Sequence, residues 1–198
     1  MARIAPLPRE KLPFMEERFK ESDRTGRHIP NCSLTLAHRP EIYMAWQSLR
    51  KTIVGPGLVS EELKSFVAQV ASASAGCNYC WAHNAFFAEE MGVAAEREEA
   101  VWQYETSPLI TDAERSALRV AQLGAQVPNA VEDEDIAEMK KYYSDAQIVE
   151  IVAVIAVFGF LNRFNDTMAT ELEDKPAAAG ERYLAPHGWQ LGKHAKKA

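Results

Sequence analysis

Cysteine is scarce in this chain: three residues in 198, too few for the disulfide framework of a small secreted scaffold. The length does not call for one either, since a chain of this size buries roughly two-thirds to three-quarters of its unfolded surface without help. Long hydrophobic runs are also missing. The longest, Ile148 to Leu161, is interrupted by Glu150 and Gly159, whereas a membrane span needs about 20 apolar residues. The segment Met1-Ala-Arg-Ile-Ala-Pro-Leu-Pro8 holds no apolar signal-peptide core. The expected location is therefore the cytoplasm, where thiols stay reduced unless they cycle. Excess positive charge is absent: 22 Lys and Arg against 28 Asp and Glu leave a net charge of −6. That balance argues against nucleic acid as the main partner. The basic Lys193-His-Ala-Lys-Lys197 reads as a solvated terminus.

Strand-like alternation bounded by turn residues is missing as well, and what remains is helical. Pro40 opens a segment with Ile42, Ala45, Trp46 and Leu49 at helical spacing, closed by Gly55-Pro-Gly57. Ser60 caps a second, with Leu63, Phe66, Val67 and Val70 on one face and Glu61 and Glu62 in its dipole-favoured first turn. A third starts at the close pair Cys77 and Cys80 and runs to Gly92. Thr111-Asp-Ala-Glu114 is a capping box. A short acidic helix lies between Val131 and Tyr143, and Ser144-Asp145 caps the longest apolar stretch, which continues as helix to Leu172. The expectation is an all-α protein of about eight helices, with an N-terminal arm (1–39), a helical domain (40–174) and a C-terminal arm (175–198). A weak internal duplication is visible. A shift of 85 residues lays Ser65-Phe-Val-Ala-Gln-Val70 on Glu150-Ile-Val-Ala-Val-Ile155, and puts Cys77 on Asn162 and Cys80 on Asn165.

The chemistry-bearing string is Gly76-Cys-Asn-Tyr-Cys-Trp-Ala-His83. A c-type haem would need His directly after the second cysteine, where Trp81 stands. Zinc needs four ligands; Cys77, Cys80 and His83 supply three, and Cys32 or a distant His would have to complete the set. Two buried thiols packed as small apolar residues are the bland alternative. Redox chemistry is the fourth reading. A helix N-terminus stabilises a thiolate, CxxC spacing lets two sulfurs meet, and His83 lies about one turn beyond Cys80, within reach of its proton.

These residues, preceded by an amphipathic helix, resemble the carboxymuconolactone decarboxylase superfamily and its AhpD-like alkylhydroperoxidases. Asp145-Ala-Gln-Ile-Val-Glu-Ile-Val-Ala-Val and Gly159-Phe-Leu-Asn-Arg-Phe-Asn-Asp-Thr167 also resemble its longer members, so the likeness runs from Glu41 to Leu172. It implies an AhpD-like helical fold, a homo-oligomer, and hydroperoxide reduction with no cofactor and no metal. By the same resemblance Cys80 attacks the peroxide, Cys77 resolves the sulfenic acid, and a lipoyl or thioredoxin-type dithiol reduces the disulfide.

Two positions depart from the family pattern. The histidine stands at 83, with Asn84 where it is usually found. The glutamate expected twelve residues before Cys77 is Ser65. A replacement proton relay would have to come from Glu150, a lone acid in an apolar run, or from Glu62. The missing carboxylate supports the alternative of a non-catalytic helical oligomer or redox sensor. A small-lactone decarboxylase is disfavoured by the cysteines. Asn162 and Asn165 read as a structural polar network, and Tyr79 and Trp81 as walls of the site or as packing. Cys32, His28, His38, His187 and His194 read as structural or exposed.

Overall fold

A computed structural model describes residues 2–196, so Lys197 of the basic tail lies outside the described residues. Among these residues no strand occurs. Ten α-helices follow one another: α1 (Glu16–Thr25), α2 (Asn31–Leu36), α3 (Pro40–Val54), α4 (Glu61–Ser74), α5 (Asn78–Glu90), α6 (Ala95–Ala100), α7 (Asp112–Gly124), α8 (Asp133–Met139), α9 (Asp145–Met168) and α10 (Asp174–Ala179). The caps that the sequence announces all form. Ser60 Oγ accepts from the Leu63 N–H at 3.2 Å, and Thr111 and Ser144 close full capping boxes with Glu114 and Gln147.

The helices beyond the expected number have no legible period. α2, α6 and α10 are six residues each, shorter than two turns. α1 is mostly charged and buries only Phe19. α9 also differs, ending at Met168 rather than continuing to Leu172. Ala169 turns left-handed at φ 47°, and its N–H returns to the carbonyls of Asn165 and Asp166. Glycine usually marks such a stop, and none stands here.

α4 is the central helix, packed against α5, α7 and α9. Its ten residues from Leu63 to Ser72 are all buried, so the expected one-sided stripe is in fact an interior rod. α9 has the length and apolar content of a membrane span. In the bundle, however, Ile151, Val154, Phe158 and Leu161 are buried, while Val149, Val152 and Phe160 stay exposed. Both terminal segments add to this same core, through Leu12, Met15 and Leu36 at one end and Leu184 and Trp189 at the other. The Trp189 ring covers Gly180, where a Cβ would come within 2.7 Å of it. Its indole N–H donates to the Asn78 carbonyl at 2.9 Å. The C-terminal segment is thereby held against the first turn of α5, beside the thiols.

Candidate functional site

Two backbone motifs meet at the cysteine pair. Gly76, at φ 71°, closes α4, with its N–H on the Ala73 carbonyl and the Cys77 N–H on the Ser72 carbonyl, both at 3.0 Å. This double closure needs a left-handed residue, which glycine supplies without steric cost. Cys77 thereby becomes the N-cap of α5 and Cys80 its third residue. Both thiols are free and buried, and the unpaired N–H groups of the first turn face the pair.

The two sulfurs are electrostatically unequal. A hydrogen bond from Cys80 lowers the pKa of Cys77; burial opposes it, and the Cys80 and Tyr79 N–H groups reinforce it. Burial, with Cys77 alongside, pushes Cys80 well above the ordinary thiol range. Cys77 is therefore the more acidic thiol. Yet Cys80 is the one that lines a cleft of about 550 Å³, together with Tyr79, His83, His28, Cys32 and Asn165. Acidity and access are divided between the two residues.

Asn165 touches Cys80 directly. Its Nδ2 donates to Cys80 Sγ at 3.3 Å. Its Oδ1 accepts from Thr170 Oγ1 at 2.9 Å, which sets the amide with its donor towards sulfur. The turn at Ala169 makes this contact possible by folding Thr170 back under α9. Asn165 is thus more than part of a polar network, while its neighbour Asn162 is buried with neither amide atom hydrogen-bonded. The duplication becomes spatial here, because the two residues that touch are the ones the 85-residue shift aligns.

The carboxylate that serves His83 is Glu173. Its Oε2 lies 2.8 Å from His83 Nε2, and its Oε1 accepts from Tyr79 Oη at 3.2 Å and from the Asn31 N–H. His28 Nε2 stands 3.3 Å away, at ion-pair distance. Burial acts to raise the Glu173 pKa, but His83, His28 and the Asn31 N–H outweigh it and hold the carboxyl far below its usual range. The segment carrying Glu173 is fixed from behind. The Leu172 N–H donates to the His194 carbonyl at 2.9 Å, and His194 Nδ1 meets the Thr170 carbonyl at 2.7 Å.

Glu150 and Glu62 are placed elsewhere. Glu150 is bound by Lys64 and by the N–H groups of Leu58 and Val59, and Glu62 by Arg97 at 3.1 Å. His28 and Cys32, expected to be structural or exposed, line the cleft instead. The zinc reading drew on both thiols and His83. The structure groups His83 with His28 and Glu173, whose donor atoms lie within 4.8 Å of one another and would present two nitrogens and a carboxylate to a cation. No sequence motif pointed to Glu173, because it is 90 residues from His83.

Glu173→Gln is expected to slow turnover about ten- to a hundredfold, since His83 loses the group that orients it. The depressed pKa also contributes stability that is fully present above the unfolded carboxyl value near 4.3 and is lost as pH falls below it. Urea midpoints at pH 7 and pH 3 should differ less in the variant than in the wild type. An equal difference in both would show that Glu173 carries no such linkage.

The model of the carboxymuconolactone decarboxylase family matches residues 40–123. No curated protein sequence matches the chain. Among solved structures, the debrominase Bmp8 in complex with 2,3,4-tribromopyrrole, in a cysteine-to-alanine variant, is 32% identical, with 91% of this chain and 96% of that chain covered and a TM-score of 0.84. Its apo form gives 32% and 0.83, over 91% and 97%. A protein of Ralstonia eutropha JMP134, described as an alkylhydroperoxidase AhpD core and an uncharacterized peroxidase-related protein, shares the fold at TM-score 0.76 and 21% identity, with 98% of each chain covered.

Proposed function

We propose that this chain, which belongs to the AhpD-like branch of the carboxymuconolactone decarboxylase superfamily, is a dithiol-dependent reductase that reduces hydroperoxides. One observation carries the reading: Cys80 opens on a cleft that also holds His83, itself paired with Glu173, and Cys77 is hydrogen-bonded directly behind Cys80. The division of acidity and access gives each sulfur a task. Cys77, as thiolate, takes the Cys80 proton across their hydrogen bond, and Cys80 attacks the outer peroxide oxygen. The O–O bond breaks, Cys80 becomes a sulfenic acid, and the leaving alkoxide receives a proton through His83. The Cys77 sulfur then displaces water and forms the disulfide. In sum, one hydroperoxide and two thiols give one alcohol, one water and one disulfide. An external dithiol of lipoyl or thioredoxin type restores the pair, which fits a reducing cytoplasm.

A second reading rests on the likeness to the debrominase. The same two-electron supply would reduce an aryl bromide: Cys80 takes the bromine, the ring carbon takes a proton, and Cys77 displaces bromide to leave the disulfide. Both readings are tested by incubating the reduced protein with dihydrolipoamide and either cumene hydroperoxide or a polybrominated pyrrole. Loss of hydroperoxide or release of bromide selects between them. If neither substrate is consumed, the reductase reading falls and the redox-sensor alternative stands.

The homo-oligomer belongs to this proposal too. Val149, Val152 and Phe160 form an exposed apolar face on α9, of the kind a second copy covers. Sedimentation equilibrium should report more than one chain per particle, and Val152→Glu should shift it towards monomer. A wild-type monomer at micromolar concentration would remove this part.

A further inference from the structure

Three arginines line the cleft without an ion pair among the described residues, Arg18, Arg27 and Arg50, and of these Arg27 is exposed while Arg18 and Arg50 are part-buried. Among the described residues, Arg18 donates to Tyr43 Oη and lies 5.8 Å from that ring. Arg50 lies over the Phe87 ring at 6.0 Å. Neither forms an ion pair, although the chain has an excess of carboxylates and eleven other lysines and arginines among the described residues are paired with them, Lys64 at this same cleft included. The acids at the same cleft, Glu21, Glu61 and Glu90, are exposed. Glu173 is occupied by His83 and His28. Burial acts first to lower the Arg50 pKa, and the like charge of Arg18 adds to it; the Cys32 thiol is the one group acting the other way. Two like charges, part-buried and turned to one cleft, are costly unless an anion joins them.

The rest of the lining describes that anion's other half. Trp46, Phe87, Met91, Phe158 and Leu161 supply apolar and aromatic wall, and Cys80 and His83 supply the reacting end. Cys32 lies within electrostatic reach of both Glu173 and the two arginines, which joins the ends into one site. We infer that the cleft takes an apolar or aromatic molecule bearing one anionic group, a carboxylate or an acidic ring, with Arg50 as its anchor and Arg18 as support, and the reducible bond turned to Cys80. This inference rests on the reading of the cleft as the substrate site and adds the charge class of the substrate.

Binding is measured in the Cys80→Ser variant, so that no turnover is needed. The probes are naphthalene-2-carboxylate and its neutral isostere naphthalene-2-carboxamide, titrated calorimetrically. The carboxylate should bind about tenfold tighter or better, and the preference should weaken with salt. Arg50→Gln should remove the preference while leaving carboxamide affinity intact, which also shows that the variant is folded; Arg50→Lys should keep part of it. Equal affinity for both probes, or an undiminished preference in Arg50→Gln, overturns the inference. With the otherwise wild-type enzyme, Arg50→Gln should raise KM for a fatty-acid hydroperoxide by a larger factor than for its methyl ester. An Arg50-dependent carboxylate preference without any reduction would sink the reductase reading and leave the anion site. Reduction without that preference would do the reverse.

Discussion

Cys80→Ser is expected to lower turnover by about a thousandfold or more, with no sulfenic acid detectable by dimedone labelling. Cys80 is the sulfur that lines the cleft and receives the Asn165 amide. Serine keeps the shape but presents an alkoxide precursor far less acidic and less nucleophilic than a thiol. Cys77→Ser should behave differently. The attacking sulfur is intact, so a sulfenic acid should form once and accumulate, but the resolving step is lost. Removing Cys77 also removes the group that takes the Cys80 proton, so this single turnover should itself be slow. Stopped-flow consumption of one equivalent of hydroperoxide separates the two variants. If Cys77→Ser fails to label while Cys80→Ser labels, the roles are reversed and the more acidic thiol is the attacker.

The second large effect concerns stability rather than chemistry. Lys64 is 1% exposed, and its charge is met by Glu150 and by the Gly55 carbonyl at 2.7 Å. Gly57 closes over this pair so tightly that a Cβ there would stand 3.0 Å from Lys64 Nζ. Glu150→Gln leaves a buried ammonium without its counter-charge, and the expected loss is about 3 kcal/mol or more of unfolding free energy. Lys64→Met with Glu150→Gln should recover much of it, because the uncompensated charge is then gone. Burial acts to raise the Glu150 pKa, but Lys64 and the N–H groups of Leu58 and Val59 hold it below the usual value. The stability it contributes is therefore present above the unfolded carboxyl pKa near 4.3 and is lost as pH falls. Turnover per folded molecule should stay close to wild type. A rate defect in Glu150→Gln without a shift in urea midpoint would restore Glu150 to the proton relay.

Glu150 shows how a sequence argument can select an unusual residue without naming its partner. A lone acid in an apolar run does mark something unusual, since a buried charge needs a partner. Sequence spacing cannot say whether that partner is a catalytic thiol or a lysine on a neighbouring helix. The same limit hid Glu173. It stands between α9 and α10 at the N-cap position of α10 but makes no side-chain capping bond, and its meaning appears only where the left-handed Ala169 turns the chain back towards α5. The 85-residue repeat was the sequence's strongest hint of tertiary contact, because duplicated helices that pack on one another bring equivalent positions together. It aligned Asn165 with Cys80 without stating a contact, and the structure has the two in hydrogen-bond contact.

The scarcity of cysteine takes its final meaning from this comparison. Sequence alone determined that the chain is helical and that two of its three thiols are paired. Local rules decide those features: capping boxes, apolar period and the CxxC turn all act within a few residues. Only the tertiary structure decided which sulfur faces a cavity, which carboxylate meets His83 and that Cys32 shares the cleft. It also decided that Arg18 and Arg50 stand there without acids. Each of those facts depends on groups more than twenty residues apart being brought out of water together. Their charges and acidities are set by that shared burial and by the partners found within it.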